Sequence, residues 1–537
     1  MNVLATLKKL WSGQVEGIAA GAALVSLAAL FADVLGVVRD RLLATHFGAG
    51  NELDVYYAAF RFPDFLYNLL IVGALSAGFI PLFTELRERE DLSAALRFAG
   101  QVLSLVVAVL LIAGLVGLVA APWIVPLLVP GFSPDKQELT TTLTRIMFLS
   151  PLCLGISAVM GGVLQSTKRF FAFAFAPIFY NLGIIFGIVV LAPICGSSGL
   201  AWGVVCGAFL HGFVQYLAVR PLGRLPLAWP SFRAEPVRRL CRLMIPRTAG
   251  LAVVQANLVI ILFFASSVGD GAVSIFTLAG NLQSFPFSLV GISFAIAAFP
   301  VLAQAVGAKR HDKFEEAFVN ATRQILFFIL PFCVLFLLER AQIVRVVFGD
   351  GRFNWEDTQA TLRVFAILTL ALPAQALCQL VVRAFYALQE TWTPFFIACA
   401  SELTTALVAW MTYRSYGING LAWAVVIGSC VNLILLLGLL RRKVTFRLLS
   451  ASFMRFLVSL AFALLAQAVV TFVVKLLLGT LLAPLAYVWT VFLQGAIAGI
   501  TGAIAFILII KVTRVSEFEL LLALKQRLLQ RFRLKKP

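Results

Sequence analysis

The chain has 537 residues, of which 61% are hydrophobic and only 13% are charged. An ordinary soluble domain is about 25% charged, so this composition excludes a water-soluble enzyme. Apolar stretches long enough to cross a hydrocarbon core of about 30 Å recur along the whole chain. The net charge of +18 is typical of a membrane protein with basic cytoplasmic loops, and it gives no reason to expect a nucleic-acid partner.

Apolar runs, separated by charged residues and by proline and glycine, predict fourteen transmembrane helices. In chain order they are residues 17–37, 55–83, 98–129, 140–165, 172–193, 199–219, 243–268, 272–300, 318–339, 359–387, 394–413, 419–440, 452–478 and 483–510. The sequence therefore predicts an all-α polytopic membrane protein. An even number of spans places both termini on the same side of the membrane.

Basic residues predict which side that is. With both termini inside, the inner segments hold 31 Lys or Arg residues and the outer segments hold 9. Basic residues concentrate in cytoplasmic loops, so we expect both termini to be cytoplasmic. Residues 513–537 combine leucines with lysines and arginines, which predicts a basic amphipathic helix lying on the anionic inner leaflet.

A short internal repeat predicts two lobes. The sequence Gly-Leu-Ala-Trp begins the sixth span at Gly199 and the twelfth span at Gly420, and Leu-Gln precedes the fifth and eleventh spans. Both matches fall at the same place in a six-span unit, which is the architecture of many secondary transporters. The predicted parts are an N-lobe at 1–225, a C-lobe at 226–443, spans 13 and 14 at 444–512, and the tail at 513–537.

Charged residues cluster around the first two spans. A charge at the centre of a transmembrane helix costs about 2.5–3.5 kcal/mol on insertion scales, so each one requires a partner or a hydrated cavity. For Arg41 and Asp54 the alternative is a solvated loop. The candidate substrate-binding residues here are Asp33, Arg39, Asp40, Arg61 and Asp64. Arginine suits the wall of a substrate cavity because its planar guanidinium group can bind a phosphate through two hydrogen bonds.

The later spans carry fewer polar residues. Gln255, Asn257 and Asn281 either line the cavity or form hydrogen bonds between helices. Glu402 lies in the middle of the eleventh span and is the candidate proton or cation site. The alternative for Glu402 is a salt bridge to a residue such as Arg383.

Several kinds of chemistry have no motif in this sequence. It contains no Walker loop, HExxH motif, nucleophile elbow or GxGxxG motif, and its eight cysteines and three histidines are scattered. We therefore predict no enzyme activity, no metal and no cofactor. Transport would draw on an ion gradient, the membrane potential or the gradient of the substrate itself.

Particular sequences resemble a known family. They are Gly36-Val37-Val38-Arg39-Asp40, Phe47-Gly48-Ala49-Gly50, Ala59-Phe60-Arg61-Phe62-Pro63-Asp64, Phe79-Ile80-Pro81, Gln255-Ala256-Asn257-Leu258 and Arg383-Ala384-Phe385-Tyr386. Together they resemble the MurJ (MviN) family of the multidrug/oligosaccharidyl-lipid/polysaccharide superfamily. At two positions where that family usually has arginine, this chain has Asp33 and Asn281.

The resemblance implies a fold, a substrate and a location. It implies fourteen helices in two lobes plus a terminal pair, in the bacterial inner membrane. It also implies a flippase that moves lipid II, the undecaprenyl-pyrophosphate-linked peptidoglycan precursor, to the outer leaflet by alternating access. The expected partners are lipid II, membrane lipids and proteins of peptidoglycan synthesis or division.

Three other readings remain open from the sequence. They are a flippase for another polyprenyl-linked oligosaccharide of the O-antigen or capsule type, a non-transporting membrane scaffold derived from a flippase, and a MATE-type drug exporter. The last has twelve helices and an acidic cavity, so the extra pair of spans and the two arginines argue against it.

Overall fold

The computed structural model describes residues 18–69, 73–226, 235–444, 450–482, 488–513, 515, 517 and 518. Within these ranges the regular elements are all helical, because backbone in hydrocarbon must satisfy its own hydrogen bonds. The all-α fold class is therefore confirmed. Most of the predicted tail helix, from residue 519 onward, lies outside the described residues.

The chain forms two compact units, the first made of residues 1–274 with 351–353. The helices of this unit are α1 (Ile18–Phe47), α2 (Asn51–Tyr67), α3 (Gly73–Arg89), α4 (Leu92–Leu128), α5 (Pro134–Met147), α6 (Leu149–Ser166), α7 (Phe170–Phe186), α8 (Ala192–Cys195), α9 (Ser197–Val219) and α10 (Glu235–Ser266). A π-helical turn, Gly187–Leu191, joins α7 to α8. The core of this unit contains stacked rings of Phe79, Phe83 and Phe98.

The second unit comprises residues 275–350 and 354–537. Its helices are α11 (Ala272–Pro286), which begins at the junction, α12 (Ser293–Gly307), α13 (His311–Phe348), α14 (Trp355–Thr369), α15 (Leu372–Ala387), α16 (Trp392–Leu440), α17 (Ala451–Leu482) and α18 (Val488–Val512). Its core includes Phe327 of α13 packed against Phe506 of α18. The predicted lobe boundary at residue 225 and the terminal pair at 444–512 stay predictions.

Many of the helices are long and apolar enough to span a membrane. Nine continuous helical stretches in the described residues meet this condition, among them α5 with α6 and α11 with α12, and the number is ten when the bent pair α14 and α15 counts as one span. These numbers confirm a polytopic membrane protein, whereas the count of fourteen spans stays a prediction.

Helix α16 is a hairpin. A straight helix of its 49 residues would be about 74 Å long at 1.5 Å per residue, yet the Glu390 carboxylate before it pairs with Lys443 after it. The chain reverses at Gly417, whose φ of 55° suits glycine. The Lys443 ammonium and the Thr393 hydroxyl hold the pKa of the Glu390 carboxyl below its usual value. Two predicted spans, 394–413 and 419–440, therefore form one helical hairpin.

Small residues bring α7 and α9 close together. A Cβ atom added at Gly183 would lie 2.2 Å from the Cα of Gly207, and one added at Gly187 would lie 2.4 Å from the Cα of Gly203. Close backbone approach of this kind is typical of membrane helices, where packing replaces the hydrophobic effect. The contact fixes α7, which carries a residue of the site described below.

Proline inside α2 is accommodated by a neighbouring helix. Pro63 cannot donate to the carbonyl of Ala59 four residues earlier, and the Thr144 hydroxyl of α5 donates to that carbonyl at 3.4 Å. Freed carbonyls are tolerated in membranes only where protein or water satisfies them. The helix therefore continues through Pro63, which is buried.

Candidate functional site

Arg39, in the last third of α1, is held by two neighbours. Its Nε and Nη2 donate to one oxygen of Asp40 at 3.0 and 2.8 Å, and its Nη1 donates to Asn181 Oδ1 at 3.1 Å. Asn181 of α7 is itself positioned, because its amide nitrogen donates to the carbonyls of Ala32 and Pro177. The guanidinium is thus fixed in place, although 23% of its side chain is exposed.

Tyr57 of α2 lies near both Arg39 and Arg61. Its phenol group is also near Asp40, and Tyr57 is 8% exposed. Its hydroxyl has no hydrogen-bond partner among the described residues. Arg61 lies one helical turn after Tyr57 and interacts with the carboxylate of Asp64.

Asp64 links α2 to α10. Its carboxylate lies near the side chains of Gln255 of α10 and of Asn68, the residue that follows α2, and the Asn68 amide nitrogen donates to the Asp64 backbone carbonyl at 3.0 Å. Three residues predicted from sequence, Arg61, Asp64 and Gln255, are therefore brought together. We call the set Arg39, Asp40, Tyr57, Arg61, Asp64, Asn181 and Gln255 the arginine cluster.

The arginine cluster can bind an anion in place of its own carboxylates. Its two guanidinium groups are balanced by two carboxylates, so the resting cluster carries no net charge from these four side chains. An entering diphosphate offers each arginine a stronger, bidentate acceptor. The donors are already oriented, which lowers the ordering cost of binding.

A second polar network is buried in the same unit. Asp54 is 0% exposed, and its carboxylate accepts from the backbone nitrogens of Gly271 and Ser274 at 2.7 and 2.8 Å and from the Ser274 hydroxyl at 2.7 Å. Lys136 Nζ lies 3.0 Å from Asp54 and 2.9 Å from Asp270. We call these five residues the lysine network. The expectation that Asp54 is a solvated loop residue is wrong, because four donors compensate its burial.

A family model described as Lipid II flippase MurJ matches residues 43–493 of this chain. The chain belongs to this family. The Probable lipid II flippase MurJ of Rhizobium meliloti (strain 1021) is 32% identical over 431 residues, which are 78% of this chain and 79% of that protein. The Lipid II flippase MurJ of Burkholderia cenocepacia is 30% identical over 450 residues, 82% of this chain and 86% of that protein.

Solved structures agree on the fold. A structure titled "Lipid II flippase MurJ, inward closed conformation" superposes with a TM-score of 0.74 at 23% identity and covers 90% of this chain and 98% of its own. An inward-facing multidrug resistance MATE transporter of the MOP superfamily gives a TM-score of 0.64 at 18% identity, covering 76% of this chain and 94% of its own. The transporter fold predicted from the sequence is thus confirmed.

The other predicted site residues of this MurJ family member lie apart from the arginine cluster or in the second unit. Asp33 is exposed on α1, and Asn257 is half-buried two residues beyond Gln255, which places it on a different face of α10. Asn281 of α11 is half-buried, and its carbonyl accepts from the Ser284 hydroxyl at 2.7 Å. Their roles in binding substrate stay predictions.

Glu402 is half-buried on the α16 hairpin. Arg383, the residue considered as a salt-bridge partner, donates through Nη1 to the backbone and side-chain oxygens of Gln379. A role for Glu402 in ion coupling stays a prediction. In the described part of the chain, no three His, Cys, Asp or Glu residues are grouped to hold a metal ion.

Sequence reasoning did not select Tyr57 or Asn181 as site residues. Their signal is weak, because a tyrosine near a span and one asparagine in an apolar helix are common in membrane proteins. Only the folded chain shows that the Asn181 amide completes the donor set of Arg39.

Proposed function

We propose that this protein moves lipid II from the inner to the outer leaflet of the bacterial inner membrane by alternating access. Its family membership, with relatives named lipid II flippases over most of their length, is the observation that carries this proposal. The protein then acts as a transporter and not as an enzyme. Both termini lie in the cytoplasm, in keeping with the distribution of basic residues.

In this proposal the arginine cluster receives the pyrophosphate of the substrate. The polar head of a lipid-linked glycan cannot cross hydrocarbon unaided, because its charges would lose their hydration. Arg39 and Arg61 replace that hydration with charge-assisted hydrogen bonds. Asp40 and Asp64 hold the guanidinium groups while the site is empty, which avoids the cost of an unpaired buried charge.

The first prediction concerns Arg61. Arg61→Ala should lower lipid II flipping by at least about tenfold, because one charge-assisted hydrogen bond contributes about 1.5–3 kcal/mol. Arg61→Lys should recover only part of this loss, since an ammonium group cannot form the bidentate contact. The measurement is the rate at which fluorescent lipid II changes leaflet in proteoliposomes containing the purified protein.

The control is Arg97→Ala, because Arg97 is exposed on α4, away from the arginine cluster. A fully active Arg61→Ala protein would remove Arg61 from the site.

Rescue of cells depleted of their lipid II flippase tests the substrate separately. A native protein that neither flips lipid II nor rescues such cells would favour the non-transporting scaffold, and flipping of a different polyprenyl-linked glycan alone would favour the other flippase class.

A further inference from the structure

A line of polar side chains lies in the interface of α13 with α17 and α18. We call it the polar seam. Its members are Glu339 and Gln342 of α13, Gln467, Thr471 and Lys475 of α17, and Gln494 of α18. The three α17 residues are four positions apart, so they share one face of that helix. None of these six residues belongs to the arginine cluster.

Three members of the polar seam are buried, and five of its oxygens have no hydrogen-bond partner among the described residues. Glu339 is 4% exposed, and Gln467 and Thr471 are 0% exposed. The oxygens without a hydrogen-bond partner in the described structure are both carboxylate oxygens of Glu339, Gln342 Oε1, Gln467 Oε1 and Thr471 Oγ1. Buried polar atoms are rarely left unpaired, so this group of oxygens calls for a ligand that supplies positive charge or hydrogen-bond donors.

The amide and ammonium groups of the seam each donate to a partner, Gln467 Nε2 to the Pro331 carbonyl at 3.1 Å among them, whereas the Thr471 hydroxyl has no partner in the described structure. Gln342 Nε2 donates to Gln494 Oε1 at 3.3 Å, and Gln494 Nε2 donates to the Lys475 carbonyl at 2.8 Å. The Lys475 ammonium donates to the Leu338 carbonyl. These bonds leave no amide donor from Gln342 or Gln494 directed at the Glu339 carboxylate.

Among the charged groups on neighbouring helices, the Lys475 ammonium of α17 interacts electrostatically with the Glu339 carboxylate. Helix α12 carries no charged residue, and α18 carries none before Lys511. The remaining charged residues on helices packed against α13 are Glu356, Asp357 and Arg363 of α14, Arg383 of α15, and Arg455 of α17, while α13 itself has Arg340 and Arg345 beside Glu339. Among these, Arg340 donates to the carbonyl of Leu337.

We propose that Glu339 is a proton-binding site whose protonation and release accompany the transport cycle. The inference rests on the proposed function for its role in transport, but not for the chemistry of the site. A hydronium ion transfers its proton to one Glu339 oxygen, an O–H bond forms there, and a water molecule is released. The carboxyl becomes neutral and gains a donor, which suits a buried position surrounded by acceptors.

Protonation also changes how α13 holds α17 and α18. An ionised Glu339 attracts the Lys475 ammonium, whereas a neutral Glu339 does not. The carboxyl also touches α18, because a Cβ atom added at Gly495 would lie 3.3 Å from Glu339 Oε2. Two protonation states therefore give two different contacts across one helical interface, which is what a coupling element requires.

The predicted topology places the proton source outside. Glu339 ends the ninth predicted span, 318–339, and Lys475 lies near the outer end of the thirteenth, 452–478. The polar seam is thus nearer to the outer surface than to the cytoplasm. A proton gradient directed inward would load this site from the outer solution.

The first experiment measures protonation directly. Infrared difference spectra of the full-length protein in lipid nanodiscs should show the carbonyl-stretching band of a buried carboxylic acid, which forms and disappears as the pH is changed. The band should be absent in Glu339→Gln and present in the matched control Glu356→Gln, whose carboxyl is exposed. Glu339→Asp should keep the band at a shifted frequency, which identifies the site even when Glu339→Gln fails to fold.

Spectra of Glu339→Gln and Glu339→Asp that both match the native spectrum would overturn the proposal, since Glu339 would then be a permanently ionised structural partner of Lys475.

The second experiment measures flipping in proteoliposomes with an imposed pH gradient. Acid on the outer side should accelerate the native protein and Glu356→Gln, while Glu339→Gln should lose this acceleration. Acceleration retained in Glu339→Gln would also overturn coupling, and absence of native flipping would refute only the proposed function.

Discussion

At the scale of single residues, Asp54 shows how burial depends on partners that are distant in sequence. Its carboxylate is compensated by Lys136, 82 positions away, and by Gly271 and Ser274, 217 and 220 positions away. Lys136 also lies 4.2 Å above the ring of Phe132. A buried charge with this many partners stabilises the folded protein only while every partner is present.

The prediction at this site is that Asp54→Asn destabilises the protein by about 3–5 kcal/mol, the usual cost of removing one partner from a buried ion pair. Lys136 would keep only the exposed Asp270 as its ionic partner. The measurement is the free energy of unfolding in detergent, followed for the native protein and the variant under identical conditions.

Lys136→Met and the double variant complete a thermodynamic cycle. The double variant should be less destabilised than the sum of the two single variants, because each single change leaves a buried charge without its partner. Strictly additive losses would mean that Asp54 and Lys136 do not interact.

The site residues were partly predictable from the sequence. Arg39, Asp40, Arg61 and Asp64 stand out because charge in an apolar region is costly and therefore noticeable. The sequence alone does not mark Glu339 as a site, because it falls at the edge of a predicted span, where a carboxylate is expected to reach water. Its burial depends on α17 and α18, which are more than a hundred residues later in the chain.

At the scale of elements, the packing of α7 against α9 connects a glycine pattern with the site. Gly183 of α7 and Gly187 of the π-helical turn that follows it meet Gly207 and Gly203 of α9 at backbone distance. The same α7 presents Asn181 to Arg39. A change that separates the two helices therefore also moves a hydrogen-bond partner of the arginine cluster.

We predict that Gly203→Ala destabilises the protein by about 1–3 kcal/mol, the usual cost of forcing extra volume into a packed interior. The added Cβ would lie 2.6 Å from the Cα of Gly187, which is backbone and cannot rotate away. The measurement is the midpoint of thermal unfolding in detergent, with lipid II flipping as a second measurement.

Gly212→Ala on the same helix is the matched control. The nearest atom to a Cβ there, the carbonyl oxygen of Cys153, is 3.4 Å away, an ordinary contact. That variant should be as stable as the native protein or slightly more so, because alanine favours helix over glycine by about 0.5–1 kcal/mol. Equal effects of the two substitutions would contradict the close-packing account.

The apolar runs predict where the helices occur, but they do not predict where a helix ends or breaks. Hydrophobicity marks the part of a helix inside the hydrocarbon, whereas α4 and α13 extend to 37 and 38 residues. The predicted span 359–387 corresponds to two helices, α14 and α15, which meet at a bend of 41°. Breaks of this kind depend on tertiary contacts, which an apolar run does not record.

At the scale of the whole molecule, orientation in the membrane rests on charge. The segments assigned to the cytoplasm hold 31 basic residues against 9 outside, and this bias sets topology during insertion. With this orientation the lysine network lies toward the outer side, Cys195 belongs to an outer loop, and Arg310 belongs to an inner loop.

The last prediction tests this orientation with cysteine labelling. In the native protein, a membrane-impermeant maleimide applied from outside should label Cys195, which is exposed at the end of α8. In a Cys195→Ala background, Glu356→Cys should be labelled from outside and Arg310→Cys only after the inner side is opened. Both positions are exposed, and both lie at helix ends, where a cysteine disturbs little packing.

The choice of Glu356 over the nearby Gly351 follows from the backbone. Gly351 has a φ of +61°, and a Cβ there would lie 2.4 Å from the Thr45 carbonyl oxygen, so a cysteine would distort the turn that it reports on. Glu356 lies in the first turn of α14 and is free of that conflict. Since α13 joins positions 310 and 356 and is long enough to span the membrane, the two labels must appear on opposite sides. Labelling of Glu356→Cys from the cytoplasm alone would reverse the orientation, and with it the outer source of protons proposed for Glu339.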